Sequence, residues 1–372
     1  MVTLPLKAAF TTSSHAKSEL THIIVRVVDE DGVTGYGEVA CETAPFYGPE
    51  TATTCWHVLR EFLAPTVLHV DLDDPRDLAG LLGRFRGNRF AKAGLDMGVW
   101  DLFAKARGIS LARALGGTNR EVQSGVSLGI GTTVEATVES ARRVAAAGHC
   151  RVKLKVRPGM AEPVVRAVRE ALGDSPIQLA IDANGSFAAS DLGELTRLDG
   201  YGLAMIEQPF GADEWLLHRE LALRIATPIC LDESIETLGD AELALDIDAC
   251  GILNIKISRL GGLTPALAVH DFCHAAGVPV WCGGMHEFGI GRAANVALAS
   301  LPAFTLPGDL SGSAERYERD IVAPPIVSNA GRIVVPDGLG IGHVIDERLL
   351  EVLAVDTADI GLPTQHARRR AR

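Results

Sequence analysis

Residues 151–257 contain five runs of one kind: RVKLKV (151–156), IQLAIDAN (177–184), LAMIEQPF (203–210), TPICLDES (227–234) and CGILNIKI (250–257). Each is short, almost continuously apolar, and ends in charged or amide residues. An Ala/Leu/Glu/Arg-rich stretch of helical texture separates each run from the next. Strands buried on both faces read this way, and the stretches between them read as crossover helices of a parallel sheet. QSGVSLGI (123–130) precedes the series, and VPVWCGG (278–284) and FTLPGDL (304–310) follow it, which makes eight expected strands. The pattern predicts an α/β chain built on a (β/α)7β TIM-like barrel, with a doubly wound open sheet as the runner-up.

The polar residues that end the runs are Lys153 and Lys155, Asp182 with Asn184, Glu207 with Gln208, Asp232 with Glu233, and Asn254 with Lys256. Lys155, Asp182, Glu207, Asp232 and Lys256 follow one another at intervals of 27, 25, 25 and 24 positions. Each interval accommodates one strand, one helix and two short loops, so these residues are expected at one height around the barrel mouth, where barrel enzymes keep their active sites. Three carboxylates converging there repel one another unless a cation sits among them, and oxygen donors suit Mg²⁺, with Mn²⁺ able to substitute. Asp182, Glu207 and Asp232 are therefore the expected metal ligands. Any one of them alone reads more simply as a helix cap or a solvated acid; three in register, flanked by lysines, do not. Lys153 and Lys155, two apart on a strand, point the same way. A neighbouring ammonium and a dication both favour neutral lysine, which makes Lys155 the expected base. For Lys153, a snorkelling side chain and a direct substrate contact are equally expected. Lys256, four strands onward, places a second ammonium across the mouth.

The rest of the chain bounds the function. With 372 residues, 47% hydrophobic and 22% charged, it can bury a large core and is expected to hold more than one domain. A formal charge of −12 speaks against nucleic acid as a partner, and no apolar run reaches bilayer length. Seven cysteines without a C-x-x-C spacing sit mostly in apolar stretches, as reduced buried thiols in a cytoplasmic protein would. Residues 1–120 read as an α+β capping domain. ELTHIIVRVVDEDGVTGYGEV (19–39) is a hairpin turning at Asp31-Gly32, and two helical stretches follow it, the second ending near Gly108. Residues 11–17 and 41–50 are turn-rich or polar loops expected to act as lids. The barrel is assigned to 121–317. The segment 318–372 is expected to pack back on the capping domain and to end in a solvated basic tail, 364–372.

The strings VKLKV, IDAN, IEQPF, CLDES and NIKISRLGG resemble the enolase superfamily in its muconate-lactonizing subgroup. GNRFAKAGLDMGVWD, GVSLGI, VWCGGMHEFGIGRAANVALASLPAFTLPGDLSGS and GLGIG are similar to the branch that contains o-succinylbenzoate synthases and N-succinylamino acid racemases, over essentially the whole chain except the tail. The resemblance implies Lys155 and Lys256 as an acid/base pair, Asp182, Glu207 and Asp232 as Mg²⁺ ligands, and a small-molecule carboxylate as substrate. It implies supporting or substrate-contacting roles for Lys153, Asn184, Glu233, Gly284, Met285 and Glu287, and a homo-oligomeric enzyme. The chain departs from the branch after GGM, where an aliphatic residue, Glu, then Thr or Ser is usual and His286-Glu287-Phe288 stands here; the added bulk is expected to reshape the pocket. His286 is expected to pack or support rather than catalyse, and Arg292 to begin a helix. Muconate-type cycloisomerisation and dipeptide epimerisation are the neighbouring activities. A non-catalytic binding protein on a degenerate barrel is the reading of another class, and a barrel metallohydrolase lacks the histidine ligands it would want at strand ends.

Overall fold

The computed structural model describes residues 1–11 and 16–361. The basic tail and the centre of the first expected lid loop lie outside the described residues. Three antiparallel strands, β1 (Val2–Thr11), β2 (Ala16–Val28) and β3 (Thr34–Val39), form the first sheet. β2 and β3 join through a turn in which Gly32 takes the left-handed conformation that glycine permits. The helix Arg89–Ala106 lies directly on β3, and two glycine pairs let the backbones meet. A Cβ on Gly37 would stand 1.9 Å from the Gly94 carbonyl oxygen, and one on Gly35 would stand 2.1 Å from that of Gly98. The other expected helix, near residues 51–67, is broken in the middle by a π-helical turn at Leu59–Leu63.

After the short strand β4 (Glu121–Gln123) come β5 (Gly125–Leu128), β6 (Arg151–Lys155), β7 (Gln178–Asp182), β8 (Ile206–Glu207), β9 (Ile229–Leu231), β10 (Ile252–Ile255) and β11 (Val280–Cys282). The last seven pair in parallel and in sequence order as one curled sheet, which excludes a doubly wound order. Helices cover its outside. On Ala161–Leu172 the buried residues Ala161, Val164, Val165, Val168 and Leu172 form one stripe. The continuous apolarity of the strands has the expected cause, since Leu179, Ile181, Leu253 and Ile255 face the helices while Ala180, Met205, Cys230, Ile252 and Trp281 fill the inside.

The eighth run differs from expectation. FTLPGDL forms no regular strand and closes the ring through single bridges, Phe304 to Val280 and Gly308 to Ser124. Pro307 brings no N–H to a ladder, so pairing cannot run through the segment. Two strands follow the barrel, β12 (Val322–Ala323) and β13 (Arg332–Val334), and then β14 (Val344–Ile345). β13 pairs with β4, β12 with β14, and further bridges join Tyr317 to Leu6 and Ala354 to Val2. All seven cysteines are free, and no helix among the described residues is long and apolar enough to cross a membrane.

Candidate active site

Strand register sets the site. Lys155 on β6 is the direct partner of Asp182 on β7, and Asp182 is the partner of Glu207 on β8, so the three side chains leave the sheet side by side. Lys155 Nζ donates to Asp182 Oδ2 at 2.5 Å and to Asn184 Oδ1 at 2.7 Å. Asn184 Nδ2 in turn donates to Glu233 Oε1 at 2.9 Å. Lys153 is fully buried rather than snorkelling, with Nζ 2.6 Å from Glu207 Oε2, 3.2 Å from Asp182 Oδ2 and 2.6 Å from Asp309 Oδ2. Lys256, past the end of β10, donates to Asp232 Oδ2 at 2.7 Å and to the Tyr47 hydroxyl at 3.2 Å. Arg259 holds the other Asp232 oxygen, and Asn254 Nδ2 donates to Glu207 Oε1 at 3.0 Å.

Above these groups is a cavity of about 310 Å³. Lys153, Lys155, Asp182, Asn184, Glu233 and Lys256 line its barrel side, Gly284, Met285, His286 and Arg292 its rim, and Lys17, Glu42, Phe46 and Tyr47 the side of the first sheet. The loop 41–50, expected as a lid, thus contributes lining residues. Lysines entering from β6 and from beyond β10 meet in one chamber, as their spacing in the sequence requires.

Charge is finely balanced here. Burial disfavours the Lys153 ammonium, but Asp309, Glu207 and Asp182 outweigh it and hold its pKa well above the usual lysine value. Lys256 is likewise raised, burial being overcome by Asp232. Both ammonium groups are favoured because each touches carboxylates. Glu207 is pushed up to about 8 by burial and then by the neighbouring Asp182 carboxylate. Asp182 falls below the usual carboxylate range, burial being outweighed by Lys155 and Lys153.

The family model for the enolase C-terminal domain-like fold matches residues 136–349, and that for the mandelate racemase / muconate lactonizing enzyme N-terminal domain matches residues 1–116. The chain belongs to the enolase superfamily. It is 46% identical to an o-succinylbenzoate synthase of Geobacillus kaustophilus, covering 94% of this chain and 92% of that one. To an N-succinylamino acid racemase of Amycolatopsis it is 43% identical, covering 97% of each. An enolase-superfamily protein of Listeria innocua, 37% identical, superposes with a TM-score of 0.94 over 97% of both chains.

Superfamily members generally use Mg²⁺. The donor set here suits such an ion: three buried carboxylates at the ends of neighbouring strands, with Glu207 raised by burial and then by the neighbouring Asp182 charge, are groups a dication would relieve. Among the described residues no three His, Cys, Asp or Glu side chains are already gathered about one point, since each of these carboxylates is turned to a lysine.

The added bulk at Phe288 does not act as expected, and three expected site residues lie outside the cavity lining. Phe288 does not shape the cavity; it is buried against His22 and Tyr317, with its N–H on Glu38. Glu287 touches the cavity only through residues that line it, its carboxylate being held by the Met285 N–H at 2.7 Å and Arg292 at 3.0 Å. Glu207 and Asp232 lie just beneath the lining, each touching a lysine that forms it. The sequence reading missed Asp309, Tyr47, Arg259 and Arg316. Asp309 was findable, because it ends the eighth run just as Asp182 ends its own.

Proposed function

We propose that this chain abstracts a proton α to a carboxylate, as an o-succinylbenzoate synthase, a dehydratase of menaquinone biosynthesis, and/or an N-succinylamino acid racemase. What carries the reading is the entry of Lys155 and Lys256 into one chamber from strands four apart, each held by a carboxylate. On this reading residues 1–120 cap the barrel of 121–317, and 318–372 return to the cap. Asp182, Glu207 and Asp232 would hold Mg²⁺, or Mn²⁺ in its place, which when bound supplies positive charge to the substrate carboxylate and to the enediolate derived from it.

The chain's own groups do the proton work. Lys155 Nζ, positioned by Asn184, takes the α-proton. Lys256 faces the developing negative charge as an ammonium, positioned by Asp232 and Tyr47. In dehydration the proton held by Lys155 leaves with the β-hydroxyl as water. In racemisation Lys256 gives a proton to the other face of the α-carbon and Lys155 keeps the one it took. Lys153, locked among three carboxylates, is a fixed positive charge. The test is to offer purified protein, stripped of metal and then supplied with Mg²⁺, the cyclohexadiene carboxylate precursor of o-succinylbenzoate and N-succinylamino acids. Metal-dependent product supports the reading. Unchanged activity after exhaustive chelation would remove the metal from it, and inertness toward both substrates would remove the assignment.

A further inference from the structure

Lys153 touches three carboxylates, and the proposed reaction gives only two of them a task. Its Nζ lies 2.6 Å from Glu207 Oε2 and 3.2 Å from Asp182 Oδ2, both proposed metal ligands, and 2.6 Å from Asp309 Oδ2. Asp309 ends the eighth run and is not among the ligands proposed for the ion. Its carboxylate is anchored from elsewhere, since Arg151 Nη2 donates to Oδ1 at 2.8 Å and Ser127 Oγ to Oδ2 at 2.8 Å. The backbone is fixed too: the Asp309 N–H donates to the Cys282 carbonyl oxygen at 3.1 Å, and its own carbonyl oxygen accepts from Arg292 at 3.1 Å. Burial opposes the charge of Asp309, but Lys153 and Arg151 outweigh it and hold the carboxyl well below the usual carboxylate range.

The ammonium has little room to move. Lys153 is 3% exposed, and its Nζ lies 4.7 Å from the centre of the Trp281 ring, part of the apolar inside of the barrel. The Arg151 guanidinium lies on the same ring at 4.3 Å. A dication that takes the oxygens of Asp182 and Glu207 competes with an ammonium already on them, and two like charges that close repel strongly in a buried site. A lysine buried to this degree cannot turn its charge to water, and losing both ligand carboxylates would leave the charge uncompensated without a further partner. Asp309 is as near to Nζ as Glu207 is.

We propose that Asp309 is a positioning residue for metal binding: it keeps the Lys153 ammonium when Asp182 and Glu207 turn to Mg²⁺, so that lysine and ion do not contend for the same oxygens. The inference rests on the proposed metal reading and deepens it. Asp309 is suited to the task because Arg151 and Ser127 hold it in place, so the lysine comes to it rather than the reverse. Without its charge, Lys153 stays on Glu207 and Asp182, and the ion binds against that competition.

The experiment is a calorimetric Mg²⁺ titration of the metal-stripped full chain, without substrate, in the parent, Asp309→Asn, Lys153→Met and the double variant. Asp309→Asn should weaken binding by roughly 10- to 100-fold, the range for groups that support metal ligands. Lys153→Met should bind more tightly than the parent. In that background Asp309→Asn should shift the affinity by no more than about threefold, because no ammonium is left to hold. A direct effect of the Asp309 charge on the ion would instead be equally large in both backgrounds. A merely structural role would lower the urea midpoint of the metal-free protein and leave the affinity unchanged. Either result overturns the proposal. Asp309→Ser and Lys153→Gln take the place of a single variant that does not fold, with the same outcomes expected. A parent that binds no Mg²⁺ would overturn the metal reading on which the proposal rests.

Discussion

Two regions of the molecule bury carboxylates, and they satisfy them differently. Where the cap meets the barrel, each acid accepts from two backbone N–H groups, with one side chain, Thr264, Lys105 or His22, beside them. Asp96 takes the Leu263 N–H at 2.6 Å and the Thr264 N–H at 3.2 Å, Asp101 takes those of Tyr36 and Ile341 at 2.8 Å each, and Glu38 takes those of Phe288 and Gly291 at 2.7 Å each. At the barrel mouth Glu207 and Asp232 are held by side chains, chiefly Lys153, Lys256 and Arg259, and Asp182 by two lysines and a single N–H. A backbone donor cannot leave without moving a helix or strand, whereas an ammonium on a four-carbon stem can turn away. The first kind of acid fastens the fold. On the proposed function the second kind would exchange partners for a ligand, and that difference would separate structural from functional acids better than burial, which is nearly complete for both.

The comparison breaks first at Lys155. If the mouth is the reacting region, Lys155→Ala lowers turnover by on the order of 10³-fold or more while circular dichroism and the unfolding midpoint stay near the parent's. A variant nearly as fast as the parent would show that another group is the base. The same logic predicts that Asp182→Asn weakens Mg²⁺ binding without unfolding the protein, measured by metal titration.

Lys256 sharpens the contrast within the mouth. Racemisation requires Lys256 to exchange a proton with carbon, whereas dehydration asks of it only a fixed positive charge, which arginine keeps. Lys256→Arg should therefore abolish racemisation of N-succinylamino acids and leave measurable dehydration of the succinylbenzoate precursor. In deuterated solvent the parent exchanges both enantiomers and the variant only one. Retained racemisation would refute the assignment of one lysine to each face.

These expectations could be framed from sequence because the barrel writes itself into spacing. A strand-plus-helix period of about 25 residues places Lys155, Asp182, Glu207, Asp232 and Lys256 around one mouth, and register in the structure bears on the first three directly. What was not legible depends on chain crossings that no local pattern encodes. Tyr47 reaches Lys256 from a loop 209 positions away, and Arg259 turns back onto Asp232 from the helical turn after β10. Arg316 lies beyond the last expected strand, at the very end of the segment assigned to the barrel, where no motif singled it out. The break at Leu59–Leu63 in a helix expected to be continuous has no counterpart in the apolar pattern.

The cap side of the comparison is tested at Asp96. Asp96→Ala removes the acceptor of two backbone donors at the start of the helix Leu263–Ala276 and should cost roughly 2–4 kcal/mol in denaturant unfolding. Activity per folded molecule should change little. A large loss of kcat with unchanged stability would mean that the cap acids, too, serve the reaction.

The smallest effect concerns a buried group beside the mouth that is held as the cap acids are. His218 is buried, with Nδ1 2.9 Å from the Glu214 carbonyl oxygen and Nε2 facing the Phe210 N–H at 3.4 Å. Nδ1 therefore carries the proton and Nε2 accepts, so the ring fits its place only when neutral. Burial lowers its pKa to about 4, against an ordinary value of 6.5, the Glu214 carbonyl opposing only in part. A group with a depressed folded-state pKa binds protons more readily when unfolded. Its contribution is present above pH 6.5 and drains away as pH falls from there toward 4. Near pH 5.5 the parent should have lost about 1 kcal/mol through this group alone. His218→Gln should be less stable at neutral pH yet show a shallower decline on acidification, when urea midpoints are compared at the two pH values in metal-free buffer. If parent and variant decline in parallel, His218 does not set the acid limit of the fold, and the carboxylates of the mouth, which lose their lysine partners on protonation, would set it instead.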